Sequence, residues 1–218
     1  MKIGVFDSGV GGQAVAARLS ELIPEADIIS INDHANVPYG TRPVEEIIEL
    51  TNAAIQPLLS AHCDAIVIAC NTATTVAITW LRNTYPDATF IGIEPMVKPA
   101  AEMTQTKTIA VFATPATLAS KSYASLKETW AQDITVIEPD TSTWASLIEA
   151  KLTSEVPIEE ATLDAIKNGA DVIVLACTHY HWLKERAVMS ADGRAEILEP
   201  SDAIGNRIKS LLEESIST

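Results

Sequence analysis

Ala65-Ile66-Val67-Ile68-Ala69-Cys70-Asn71-Thr72-Ala73-Thr74 and Val172-Ile173-Val174-Leu175-Ala176-Cys177-Thr178-His179-Tyr180-His181 are two versions of one pattern. In each, a continuously apolar run rich in β-branched residues ends in Ala-Cys. Small hydroxyl or amide residues follow, where a helix starts. Such a run reads as a strand covered on both faces, the kind found in parallel sheets. The two versions end at positions 70 and 177 of a 218-residue chain, close to half its length apart. A second echo supports the first: Ile3-Gly4-Val5-Phe6-Asp7-Ser8 resembles Ile109-Ala110-Val111-Phe112-Ala113-Thr114.

Working outward, further apolar runs stand at Asp27–Ile31, Thr89–Ile93, Ile134–Ile137 and Glu196–Leu198. Segments of helical period separate them. Pro43–His62 carries Ile47, Leu50, Ala54, Leu58 and Leu59 on one stripe, with Glu45 and Glu46 in its first turn. A last helix is expected from about Ser201 to Glu214. This alternation predicts an α/β fold of two similar lobes, each a largely parallel sheet flanked by helices. The expected division is 1–95 plus 199–218 for the first lobe and 96–198 for the second, with the final strand and helix crossing back to the first. The carboxyl ends of the two sets of strands would then face a shared cleft, where α/β sheets bind ligands.

Composition narrows the function. The charged residues are 15 basic and 29 acidic, a formal net charge of −14. That surface repels phosphate backbones and anionic lipid, which argues against nucleic acid or a membrane as partner. No apolar run is long enough to span a bilayer, and Asp7 interrupts the amino terminus too early for a signal peptide. Three cysteines, Cys63, Cys70 and Cys177, make an odd count that fits reduced thiols in a cytoplasm.

Four groups of residues could carry chemistry. Asp7-Ser8-Gly9-Val10-Gly11-Gly12 follows the first strand and opens a helix at Gln13. Its glycines allow positive φ and close backbone approach, so the N–H groups could cradle an anion. A relaxed dinucleotide fingerprint survives there, with Asp33 as the matching acidic residue, but a Gly-rich turn without a ligand fits the same letters. Cys70 and Cys177 each lie between a strand and a helix start, where a thiol becomes a usable base. A lone cysteine would read as a small buried hydrophobe; two in matching contexts read as a pair, and Cys63 remains a filler. Cys177-Thr178-His179-Tyr180-His181 could be a metal cluster, but alternate residues on an extended stretch point apart and no second cluster completes a site. His179 is then a proton partner for the adjacent thiol. Asp7 is its counterpart near Cys70, or else an N-cap for the helix at Gln13.

Taken together, Phe6-Asp7-Ser8-Gly9-Val10-Gly11-Gly12, Pro38-Tyr39-Gly40, Ala69-Cys70-Asn71-Thr72-Ala73 and Ala176-Cys177-Thr178-His179-Tyr180 resemble the signature blocks of glutamate racemases, in order and in spacing. The resemblance implies a cofactor-free, metal-free racemase of two α/β lobes that supplies D-glutamate for peptidoglycan, and it admits a homodimer. It implies Cys70 and Cys177 as the catalytic cysteines and Asp7 and His179 as their assisting acid/base groups. Ser8, Tyr39, Gly40, Asn71, Thr72 and Thr178 fall on its substrate-binding positions, alongside Asp7 and His179. The family usually has Pro after the second-cysteine Tyr, where this chain has His181-Trp182, and the chain is somewhat shorter than many members.

Overall fold

The computed structural model describes residues 1–200. It contains two four-stranded sheets with every pairing parallel. The first is built from β1 (Lys2–Asp7), β2 (Asp27–Asn32), β3 (Ala65–Ile68) and β4 (Phe90–Gly92), in the order β2-β1-β3-β4. The second uses β5 (Thr108–Phe112), β6 (Thr135–Ile137), β7 (Val172–Leu175) and β8 (Glu196–Leu198), in the order β6-β5-β7-β8. The two orders are the same, so the sequence echo is an echo of plan. The registers agree as well: Ile3 pairs with Ala65 and Phe6 with Ile68, while Ile109 pairs with Val172 and Phe112 with Leu175.

The continuous apolar runs are buried on both sheet faces, as covered parallel strands require. In the first lobe, Phe6, Ile66 and Ile68 pack on Ile47, Ile55, Leu58 and Leu81, while Ile3, Val5 and Val67 pack on Val15 and Leu19. Each such aliphatic side chain removed from water stabilises by about 1.5–3 kcal/mol. The second lobe repeats this with Phe112, Ile173 and Leu175 on one side and Ile109, Val111 and Val174 on the other. The edge strands β2 and β6 are only half-buried.

The helices are α1 (Gly11–Leu22), α2 (Val44–Ser60), α3 (Asn71–Thr84), α4 (Val97–Met103), α5 (Pro115–Leu118), α6 (Lys121–Trp130), α7 (Trp144–Glu149), α8 (Ile158–Lys167) and α9 (Lys184–Ala191). Residues Thr178–Leu183 form a 3₁₀ turn. The expected α2 stripe faces the core, with Ile47 and Leu58 buried and Leu50, Ala54 and Leu59 partly buried against the same cluster. Ile55 and Thr51, whose hydroxyl donates to the Ile47 carbonyl, are buried beside them. Two expectations need correction. α1 starts at Gly11 with Val10 as its cap, so Asp7 is not the N-cap. β8 pairs with β7 and stays in the second sheet instead of crossing back. The helix expected over Ser201–Glu214, and with it the return to the first lobe, lies outside the described residues. Among the described residues no helix is long and apolar enough to cross a membrane.

Candidate active site

The strand ends bring the singled-out residues together. Asp7 closes β1, and Ser8 follows it beside the end of β3. Cys70 is the N-cap of α3: its extended backbone turns the chain from β3 into the helix, and its sulfur accepts the Ala73 N–H at 3.4 Å. The Ser8 hydroxyl donates to the same sulfur at 3.2 Å. Cys177 holds the equivalent place after β7, with His179 Nδ1 3.7 Å from its Sγ. Both thiols are nearly out of water, 5% exposed at Cys70 and 6% at Cys177.

Contacts cross between the lobes. The Thr178 hydroxyl donates to Asp7 Oδ2 at 2.9 Å, and the hydroxyls of Thr72 and Thr114 meet at 2.8 Å. The Ala116 N–H donates to the Gly40 carbonyl at 2.9 Å. Tyr39 is buried, and its hydroxyl donates to Asp33 Oδ2 at 2.8 Å. Asn71 donates to the Ile93 carbonyl at 3.0 Å, while its buried Oδ1 has no partner among the described residues.

The glycine loop does something other than the sequence indicated. Gly9, Gly11 and Gly12 all lie outside the positive-φ region, which among the described glycines only Gly169 and Gly193 enter. Their need is space. A Cβ on Gly9 would sit 2.0 Å from Glu149 Oε1 and 2.8 Å from His179 Nε2. One on Gly11 would meet Thr178, and one on Gly12 would meet Asp7. The N–H groups read as an anion cradle are taken by the protein's own carboxylates. Gly9 donates to Asp7 Oδ1 and Val10 to Glu149 Oε1, each at 2.9 Å, and Gly12 also bonds Asp7. Asp33, the acidic residue of the dinucleotide reading, is held by Tyr39 and Asn36. This loop fastens two lobes together.

Glu149, at the end of α7, is the site residue the sequence reading missed. Its Oε1 lies 2.5 Å from His179 Nε2, so Cys177, His179 and Glu149 form a line. Burial alone would lower the His179 pKa, but the Cys177 thiol and the Glu149 carboxylate outweigh it and raise it to about 10. Burial opposes the charge on Glu149 too, yet His179 and the Val10 N–H hold that carboxyl below its usual range. Burial, then the nearby Asp7 charge, pushes the Cys70 thiol up to about 12. Burial also raises Asp7, against the pull of His179 and its hydrogen-bond donors.

A 3₁₀ turn over Thr178–Leu183 follows the extended Cys177, and the His181 side chain is 41% exposed, with Nδ1 3.7 Å from Glu199 Oε2. Among the described residues no group of three or more His, Cys, Asp or Glu is placed to hold a metal ion.

Two buried thiols at equivalent strand ends, each with an acid/base group beside it, suit proton transfer at two faces of one carbon. The sequence profile of the Asp/Glu/hydantoin racemase family matches residues 12–202. The chain belongs to that family. Among its racemase relatives, the glutamate racemase of Clostridium botulinum (strain Alaska E43 / Type E3) is 36% identical over 216 residues, covering 97% of this chain and 84% of the relative. The structure resembles that of the glutamate racemase isoform RacE1 from Bacillus anthracis, with a TM-score of 0.85 at 28% identity, covering 98% of this chain and 82% of that one. It also resembles Escherichia coli glutamate racemase in complex with L-glutamate and the activator UDP-MurNAc-Ala, with a TM-score of 0.84 at 29% identity over 97% of this chain and 82% of that one.

Proposed function

We propose that this protein interconverts L- and D-glutamate without metal or organic cofactor, in a cytoplasm, supplying D-glutamate for peptidoglycan. The observation that carries the reading is the pair of buried thiols, Cys70 and Cys177, at corresponding strand ends of two lobes. In it, Cys177 removes the Cα proton of L-glutamate and the Cys70 thiol returns one to the opposite face; from D-glutamate the roles reverse. A thiolate out of water is a stronger base than one in bulk solvent, and a closed site keeps the carbanion from random reprotonation.

Each thiol has help suited to its task. His179, charged and backed by Glu149, stabilises the Cys177 thiolate and takes up or releases its proton. Asp7 and the Ser8 hydroxyl serve Cys70. The substrate's carboxylates and ammonium would be bound by Asp7, Ser8, Tyr39, Gly40, Asn71, Thr72, Thr178 and His179. Arg42, the arginine next to the Tyr39-Gly40 loop in sequence, is engaged by Glu46 and by the Asn36 carbonyl. With Arg42 engaged and His179 paired to Glu149, hydroxyls and the backbone N–H groups at the start of α3 meet the carboxylates.

Circular dichroism of the purified protein with L-glutamate, D-glutamate and then aspartate tests the reading. Decay of either glutamate signal to zero, unaffected by a chelator, is expected. Racemisation of aspartate alone would move the substrate assignment, and loss of activity on chelation with recovery on zinc would overturn the metal-free chemistry.

A further inference from the structure

We propose that Thr178 is a positioning residue for Asp7, so that each lobe holds the acid/base group of the other in place. The proposal rests on the two-thiol reading for its catalytic consequence, but its structural content is independent of it.

Three observations carry it. First, Asp7 is fully buried, and Thr178, 3% exposed, donates to its Oδ2 at 2.9 Å. Its Oδ1 is already taken by the Gly9 N–H, so among the described residues Thr178 supplies the one side-chain hydroxyl that bonds this carboxylate and fixes its second oxygen. Second, the sequence makes room for that approach: a Cβ on Gly11 would lie 2.4 Å from Thr178 Oγ1 and 2.8 Å from its backbone carbon, and one on Gly12 would lie 2.4 Å from Asp7 Cβ. Third, the arrangement is reciprocal. Glu149 of the second lobe, which backs His179, accepts the Val10 N–H of the first at 2.9 Å. The four residues Asp7, Val10, Glu149 and Thr178 thus make two crossing bonds, and separating the lobes breaks both at once. The charged or titratable groups that face Asp7 are His179 from the second lobe and the Cys70 thiol of its own.

A residue that only bound substrate would show its loss whether or not Asp7 is present. A residue acting through Asp7 would not. The test compares Thr178→Val and Thr178→Ser in the native protein and in an Asp7→Ala background, with kcat and KM measured in both directions. Thr178→Val is expected to lower kcat on D-glutamate by about 10- to 100-fold, the effect of one lost hydrogen bond to a charged group, with Thr178→Ser restoring most of it. In the Asp7→Ala background the same change should cost less than about threefold. Equal losses in both backgrounds would overturn the proposal. The second measurement needs no activity: the carboxyl ¹³C signal of Asp7 followed against pH. Its midpoint should rise by about one unit in Thr178→Val, since a donor to the charged form is gone, and stay near native in Thr178→Ser. An unmoved midpoint in Thr178→Val would overturn the positioning role even in an active racemase. Failure of native protein to racemise glutamate, with the midpoint shift intact, would overturn the catalytic reading alone.

Discussion

His179 Nε2 lies 2.5 Å from Glu149 Oε1, with the histidine 3% exposed and the glutamate 15% at their side chains. In that environment the pair behaves as one unit that keeps a positive charge next to Cys177. A neutral imidazole there would leave Cys177 without a cation beside it.

Glu149→Gln should therefore lower kcat by roughly 10²-fold, the lower end of what a general acid–base partner contributes. The larger effect is expected from L-glutamate, where the proposed mechanism makes Cys177 the base. The alkaline limb of the pH–rate profile, set by His179 near pH 10, should move toward neutral pH. Unchanged profiles in both directions would reduce Glu149 to a packing residue.

Stability should also depend on pH in a defined direction. His179 has a raised pKa when folded, so its contribution is fully present below pH 6.5 and is lost as pH rises through about 10. The Cys70 thiol, raised from 9.0 to about 12, adds a loss that begins near pH 9, where the unfolded thiol ionises. Glu149 is lowered and works oppositely, its contribution present above 4.5 and lost as pH falls. Thermal scans should show Tm declining between pH 7 and 10, and a shallower decline in His179→Asn.

The glycine loop gives a third expectation. Gly9→Ala brings a methyl group to 2.0 Å from Glu149 Oε1, 2.8 Å from His179 Nε2 and 2.9 Å from Val37 Cγ2, side-chain ends that can give way. Gly11→Ala strikes Thr178 at its Cβ and backbone, which cannot. Gly9→Ala should lose activity roughly 10²-fold while keeping its Tm within a few degrees, because it displaces an acid–base partner rather than the core. Gly11→Ala should lose both. Parallel melting curves and racemisation rates separate the two outcomes.

What the sequence revealed and what it hid follow from where the determinants sit. The strands were legible because burial on both faces demands continuous apolar runs, and the matched Ala-Cys endings located both thiols. Partners distant along the chain were not legible. Glu149 ends a six-residue helix, 30 positions from His179, and nothing in its neighbours marks it. The glycine loop misled for the same reason: its N–H groups looked free for an anion because the carboxylate that takes the Val10 N–H lies 139 positions away. The burial of Thr51 was hidden too, since it becomes acceptable inside only once its hydroxyl finds the Ile47 carbonyl.

The central claim is that two thiols work on opposite faces of one carbon, and isotope incorporation at the first turnovers tests it most directly. L-glutamate is converted in D₂O by the native protein and by Cys70→Ser, Cys177→Ser and the double variant, and both enantiomers are recovered early. The account predicts D-glutamate carrying deuterium at Cα from the first turnover while recovered L-glutamate carries much less, because the returned proton comes from a different, solvent-exchanged thiol. Each single variant should nearly abolish net racemisation, though one retaining a thiol can still exchange the Cα hydrogen of the enantiomer it faces. Full activity in either single variant, substantial racemisation by the double one, or early product without deuterium would contradict the two-thiol account.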